Sequence, residues 1–550
     1  MAQSCIISNL YYKNYEGDTM KKNKTHVFDI LPCVGYGLIG GMVTGFLLFF
    51  YKFAANKTVE FSQEVYSFIH ENPVYIPALF AGLIVFACVM AAMQKKIPEM
   101  KGGGIPRCEG ILRGILSFRR VKTLAGTAIG SLISFFCGLP LGSEGPAVII
   151  GTSIGGLCMG RSGRKSAWSR YVMTGSAAAG FAVATGAPLA AILFALEEIH
   201  RKFTHLLVIS VSTTVLSATF INELLCSFYG IESSLIPAFD FPDFELKNIL
   251  PLIILGVIVA VSVGIFDACL GFFGKMKKRM KRKMKNGVPE VAKLIVVFVL
   301  AGVLGLFFRE GAYSGHDIVE NILSYGESLP LLFAILAVRL AMMMLVTDSG
   351  ATGGIFIPTL AVGALVGAIA GRFLVFAGMP AELFPSVVVL GMCSFMGGAL
   401  RAPLTATIIF IEITCNFTNF FYVALVIFIV NTLISFFHQQ SFYDRVLEKL
   451  EHDHHAGKTS QIVSFKMKIS AGSFVDGKTV HDILWPSSSV VVGITKADNN
   501  IQDMDDDGEK KLFADDTVVI KAKVFDKENY LKILKGLVGE QYEIEECNQM

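Results

Sequence analysis

Pro188, within Ala187-Pro188-Leu189, precedes Glu197 by nine residues, and Pro403, within Ala402-Pro403-Leu404, precedes Glu412 by nine. Upstream, Pro146 is followed by Gly151 and Gly155, and Pro358 by Gly363 and Gly367, at the same offsets. Further upstream, Gly104, Glu109 and Leu112 match Gly315, Glu320 and Leu323. These anchors recur in one order at nearly constant spacing, so the chain is built twice from one unit, about 30–225 and 247–437. A repeat of that size demands two pseudosymmetric halves packed on each other.

Composition says what medium the halves occupy. The chain is 53% hydrophobic and 17% charged, against ~25% charged in soluble domains. The charge is unevenly placed. Residues 1–450 carry 36 bases and 27 acids, and residues 451–550 carry 12 bases and 18 acids. A membrane domain followed by a small acidic soluble domain fits this split. A hydrocarbon core needs about 20 apolar residues per helix, and 30–52, 74–93 and 250–273 supply them. Segments near 126–140, 146–160, 171–197, 355–378, 384–400 and 403–414 are short or interrupted by Gly and Pro. Broken helices at membrane depth survive only where they are buried in protein or line a cavity, so the pattern points to a transport pathway. The first apolar run is too long for a signal-peptide core.

Charge also sets the hand of the repeat. The expected loop 54–75 holds Lys57 with Glu60, Glu64 and Glu71, whereas its counterpart, 274–290, holds eight bases between Lys275 and Lys285. Bases mark the cytoplasmic side, so equivalent loops lie on opposite faces and the repeat is inverted. Inverted repeats place a site near the bilayer midplane.

Gly142-Ser143-Glu144-Gly145-Pro146 puts an acid at a helix start, with Pro146 in the first turn. Free N–H groups and the helix dipole favour negative charge there. That suits either a capping carboxylate or one that competes with a mobile anion. Gly353-Gly354-Ile355-Phe356-Ile357-Pro358 and Lys101-Gly102-Gly103-Gly104-Ile105-Pro106 also lead into helices. Together the three runs suggest converging anion nests. Glu198 aligns with Ile413 and so breaks the symmetry. Taken alone, it reads as a helix-end charge paired with Lys202 at i,i+4.

With these motifs in order, the chain resembles the CLC family of chloride channels and chloride/proton antiporters over roughly residues 30–450. The motifs are Gly102–Pro106, Gly142–Pro146, Gly354–Pro358 and Tyr443. The resemblance implies an all-α polytopic membrane protein with an inverted repeat and broken, re-entrant helices, working as a homodimer with a pathway in each subunit. It implies that Glu144 is the gating glutamate, blocking the anion path when ionised and moving aside when protonated. It implies an anion site formed by Gly103, Gly104, Ile105, Gly145, Phe356, Ile357 and the Tyr443 hydroxyl, with Glu198 as the internal proton-transfer glutamate. The sequence departs from the family pattern at Gly103, commonly Ser, and at Ser143, often basic. Fluoride-exporting relatives depart from GxEGP and from the Tyr, and this chain keeps both.

Beyond a linker at 451–460, residues 461–545 form a small α+β domain. Strands are expected at Val463–Ile469, Ser489–Thr495 and Thr517–Lys523, and helices near Thr479–Leu484 and Asp526–Leu537. Phe465, Gly472, Gly477-Lys478-Thr479-Val480 and Leu484-Trp485-Pro486 resemble a TrkA-C domain, which implies a regulatory role, sensing of a small-molecule ligand, or dimerisation. The eleven cysteines form no C-x-x-C pair and fit neither a disulfide framework nor a metal site. Asp503-x-Asp505-x-Asp507-Gly508 opens like a calcium loop but has Ala514 where a bidentate Glu belongs. The expectation is therefore a cell-membrane anion/proton antiporter with residues 1–27 and the C-terminus cytoplasmic, no cofactor, no metal, no nucleic acid and no enzymatic activity. A passive anion channel of the same fold is the alternative. The tail alone raises a potassium transporter, but no TVGYG-like filter is present.

Overall fold

The computed structural model describes residues 2–546 except 161–163, 232–238, 240, 284–287, 324–326, 438–439, 456–459, 498–500, 504–507 and 509. Most of the calcium-like loop lies outside the described residues. The first half comprises α1 (Ala2–Glu71), α2 (Ile76–Lys96), α3 (Ile105–Leu112), α4 (Arg120–Phe136), α5 (Glu144–Met159), α6 (Arg164–Thr185), α7 (Pro188–Phe194) and α8 (His205–Tyr229). The second repeats the series as α9 (Ile249–Lys283), α10 (Glu290–Phe307), α11 (His316–Leu323), α12 (Leu329–Ser349), α13 (Phe356–Phe376), α14 (Phe384–Leu400), α15 (Pro403–Thr414) and α16 (Phe420–Phe436). Short, long, short lengths recur in register, as the repeat requires.

The repeated glycines are packing positions. A Cβ on Gly151 of α5 would lie 2.1 Å from the Ser176 carbonyl oxygen of α6. One on Gly363 of α13 would lie 2.7 Å from that of Met392 of α14. Small residues allow such backbone approach where helices pack inside a membrane. Two apolar segments long enough to cross, Phe356–Phe376 and Ala381–Leu400, are 78% and 94% buried within the protein. These helices form the centre and leave α2, α9 and α10 more exposed. Eight described helices are long and apolar enough to span a bilayer, including His205–Tyr229, Glu290–Phe307 and Leu329–Ser349.

Two expected loops are helical. α1 runs on to Glu71, because 54–71 contains no Gly or Pro and buries Ala55, Ser62, Tyr66 and Ile69 on one stripe. It stops before Pro73, which disfavours helix in the preceding residue. α9 carries the basic run to Lys283, since Lys, Arg and Met are good helix formers. The inversion stands. The end of α9 pairs Lys277 with Asp348, beside Lys449 near the C-terminal domain. The equivalent end of α1 lies against Phe136 and Asp317, at the opposite face.

After α17 (Phe442–His454), the C-terminal domain contains β1 (Gln461–Lys468), β2 (Ser489–Thr495), β3 (Ile501–Asp503), β4 (Thr517–Val524), α18 (Lys527–Leu537) and β5 (Tyr542–Glu546). The sheet order is β3-β2-β4-β1-β5, all antiparallel. Alternation along β1 buries Val463, Phe465 and Met467 under α18. The helix expected at Thr479–Leu484 is instead a turn. The Thr479 hydroxyl donates to the Asp482 carboxylate (2.8 Å) and accepts from its N–H (3.2 Å), the local competition by which such residues displace helix.

Candidate functional site

The two halves meet at glycines. Gly142 and Gly354 exchange both backbone hydrogen bonds at 2.7 Å, forming one antiparallel bridge across the pseudo-two-fold axis. Gly104, at φ +76°, packs so that an added Cβ would lie 2.2 Å from the Gly145 carbonyl oxygen. A Cβ on Gly145 would lie 2.3 Å from the Gly103 oxygen and 2.7 Å from the Gly354 Cα. The N-termini of α3, α5 and α13 therefore converge. Gly103, Gly104 and Gly145 pack together, and Gly354 and Ile355, just before Phe356 and Ile357, approach Gly145 and Gly103. Ile105 N–H already donates to Gly103 O at 2.8 Å. Phe356 and Ile357 open α13, where first-turn N–H groups lack intrahelical acceptors.

Glu144 is the first residue of α5 and is fully buried. Its Oε1 accepts weakly from Ser143 Oγ at 3.4 Å, and its Oε2 has no hydrogen-bond partner among the described residues. The carboxylate faces the Ile357 amide at the start of α13, so two helix N-termini stabilise one negative charge. Beyond it opens a cavity of about 310 Å³ lined by Gly142, Ser143, Lys52, Arg309, His316 and Asp317. Lys52 reaches in from α1, donating to Val183 O at 2.9 Å and interacting electrostatically with Glu144. The cation that Ser143 does not provide thus arrives from another helix.

Tyr443 is fully buried, and its hydroxyl has no hydrogen-bond partner among the described residues. Ser441 fixes the start of α17, accepting from Tyr443 N–H at 3.3 Å and donating to Leu400 O at 3.0 Å. The hydroxyl lies within electrostatic range of Glu198 and Glu144. Phe181 stacks on Phe194 and meets Phe356 edge-on, with ring centroids 4.6 and 4.8 Å away.

Glu198 lies in a π turn, Ala195–His200, that extends α7 and ends at Arg201 in the left-handed region (φ 52°). Such turns recur at functional sites. Glu198 is 1% exposed, and its Oε1 has no hydrogen-bond partner among the described residues. Its ion pair is with Arg201, at 4.0 Å, and not with the Lys202 that i,i+4 spacing indicated. The helix ends at left-handed Arg201, so Lys202 lies beyond the last turn and off the helical i,i+4 spacing. Arg201 also binds Asp444 of α17 at 2.7 Å, joining the Glu198 turn to the helix of Tyr443. A second carboxylate, Glu109 on α3, is buried nearby with Arg113 Nη2 2.8 Å away.

Glu197, next to Glu198, does different work. Its oxygens accept from Leu404 N–H (2.9 Å) and Thr405 N–H (2.8 Å) at the start of α15. Glu412 accepts from Leu189 and Ala190 N–H, both at 2.8 Å, at the start of α7. The repeated glutamates are reciprocal caps, each closing the helix of the other half. Sequence reasoning missed this role, although the matched Pro-to-Glu spacing carried the signal. It also missed Lys52, Arg113 and the π turn, none of which has a local motif.

The family model for the voltage-gated chloride channel matches residues 85–434. The chain belongs to this family, the CLC family. It is 30% identical over 337 residues to the H(+)/Cl(-) exchange transporters ClcA of Salmonella paratyphi B and Salmonella newport, covering 59% of this chain and 68% of theirs. The fold is similar to that of a slow cyanobacterial Cl-/H+ antiporter, with TM-score 0.68 and 23% identity over 76% of this chain and 98% of that one. It is also similar to that of a CLC-type fluoride/proton antiporter, with TM-score 0.60 and 20% identity over 74% and 95%.

Proposed function

We propose that this chain exchanges chloride, or a similar small anion, for protons across a membrane. The observation that carries this reading is the buried Glu144 carboxylate at the joined N-termini of α5 and α13, next to a cavity lined by its neighbours Gly142 and Ser143. Charge of one sign suits that place. When Glu144 is ionised, its carboxylate occupies the position an anion would take. When it is protonated, its claim on the helix dipoles falls and an anion replaces it. Gly145, Phe356, Ile357 and the Tyr443 hydroxyl would hold that anion, with Gly103 and Gly104 shaping the corner and Ile105 contributing backbone at its edge. Glu198 would pass protons on the other side of Tyr443, diverging from the anion path. Relatives named as H(+)/Cl(-) exchangers support the coupling. Protons and anions are the cargo, and no cofactor enters the scheme.

The domain limits proposed are 28–450 for transport and 461–545 for a TrkA-C-like regulatory domain. Both termini are proposed to be cytoplasmic. Lys277 near the basic end of α9 shares Asp348 with Lys449 of α17, the helix that leads into the C-terminal domain, and Cys33 near the start of the α1 span binds Leu206 O close to the Glu198 turn. Two copies are proposed to pair, each with its own path. The Glu144 role is tested by chloride efflux from proteoliposomes across pH. Wild-type efflux should rise as pH falls, whereas Glu144→Gln should be pH-insensitive and uncoupled from protons. A Glu144→Gln protein that keeps the wild-type pH profile overturns the assignment.

A further inference from the structure

The C-terminal domain seats its 479–487 turn at the foot of the Glu198 branch. Ser487 N–H donates to Arg113 O at 2.9 Å. The Arg113 guanidinium then donates to Ile199 O (2.9 Å) and Glu198 O (3.4 Å) in the π turn, and faces Glu109. One residue therefore joins the C-terminal domain to the Glu198 turn, with its backbone on one side and its side chain on the other. Neighbouring contacts make the seat a built one. Arg170 donates to Leu484 O at 2.8 Å and to Leu112 O at 2.6 Å. Tyr171 donates its hydroxyl to Asp482 O (2.8 Å) and accepts from Leu484 N–H (3.3 Å). Phe474 wedges against Trp168 and Tyr171, with centroids 5.1 and 5.7 Å away, and all three rings are buried.

We propose that Arg113 is a positioning residue through which docking of the C-terminal domain holds the Glu198 turn in place, so that the domain sets the number of protons moved per anion. This rests on the antiport reading above. The chemistry favours the proton branch over the anion corner. Arg113 ends α3, whereas Gly104 begins it, and an eight-residue helix separates its ends by about 12 Å. The turn leads directly into β2 at Ser489, so a shift of the sheet is delivered to Arg113 without a flexible intermediary.

The test uses the full chain in proteoliposomes, reading chloride and proton flux together. Tyr171→Phe removes two hydrogen bonds and keeps the ring; Phe474→Ala removes the wedge from the other side. Each should lower protons moved per chloride about five-fold or more, since loss of even one hydrogen bond shifts an equilibrium about five-fold, while chloride flux changes less than about two-fold. Arg113→Lys keeps the charge beside Glu109 but loses the fork to two carbonyls, and should lower the ratio likewise. A purely structural role would lower both fluxes in parallel, and that result overturns the proposal. So does an unchanged ratio in all three variants when the wild type is coupled. A wild type that moves chloride without protons overturns the antiport reading instead.

Discussion

Gly103 is the member of the glycine corner with room for a side chain: an added Cβ would find its nearest neighbours at 3.7 Å, in Gly353 and Ile355. Gly104 and Gly145 have no such room. Gly103→Ser should therefore fold normally and offer a hydroxyl to the anion. Chloride preference over nitrate, read from competing fluxes, is expected to rise about five-fold, one hydrogen bond's worth; an unchanged preference would place the anion away from Gly103. Lys52 and Ser143 line one cavity, and Lys52 interacts electrostatically with Glu144. Lys52→Ala should slow chloride entry at low ionic strength, with the deficit shrinking as salt is raised and charges are screened. A salt-independent deficit would show that Lys52 acts through packing. At this scale the sequence was most legible where chemistry is local. Glu144, Phe356 and Tyr443 sit in contiguous motifs, whereas Lys52 acts through tertiary approach, which no spacing reveals.

Helix ends carry the architecture at the next scale. Glu197 and Glu412 each satisfy two first-turn N–H groups of the opposite half. Losing such a cap costs about 1–2 kcal/mol, so Glu197→Ala and Glu412→Ala should each lower the melting temperature in detergent. Glu197→Ala should leave the proton-to-chloride ratio unchanged, in contrast to substitution of Glu198 beside it. Equal uncoupling by both would assign Glu197 to the proton branch as well. Element existence was readable from apolar runs and Gly-Pro breaks. Element ends were less so, because α1 continues through polar sequence along a buried stripe and α9 continues through a run of good helix formers. The turn at Thr479 went the other way, since a side chain outcompeted the helix backbone.

Across the whole molecule, the inverted repeat explains why a site forms at all. Two broken halves bring their helix N-termini to one bridge, Gly142 to Gly354, and α17 adds Tyr443 from outside the repeat. The paired motifs made that symmetry legible in one dimension. The departures from symmetry, Glu198 in its π turn and the C-terminal domain seated at its foot, required the folded chain. Chemical cross-linking of the protein in detergent should yield a two-copy species; a strictly monomeric, active protein would contradict the proposed pairing. The central claim is that one chain couples anions to protons through Glu144 and Glu198. It is tested most directly by imposing a chloride gradient on proteoliposomes and recording proton movement, in the wild type and in Glu198→Gln. The expected result is chloride-driven proton uptake in the wild type, and chloride flux without proton movement in Glu198→Gln. Chloride flux with no proton movement in the wild type, or full coupling in Glu198→Gln, would contradict the account.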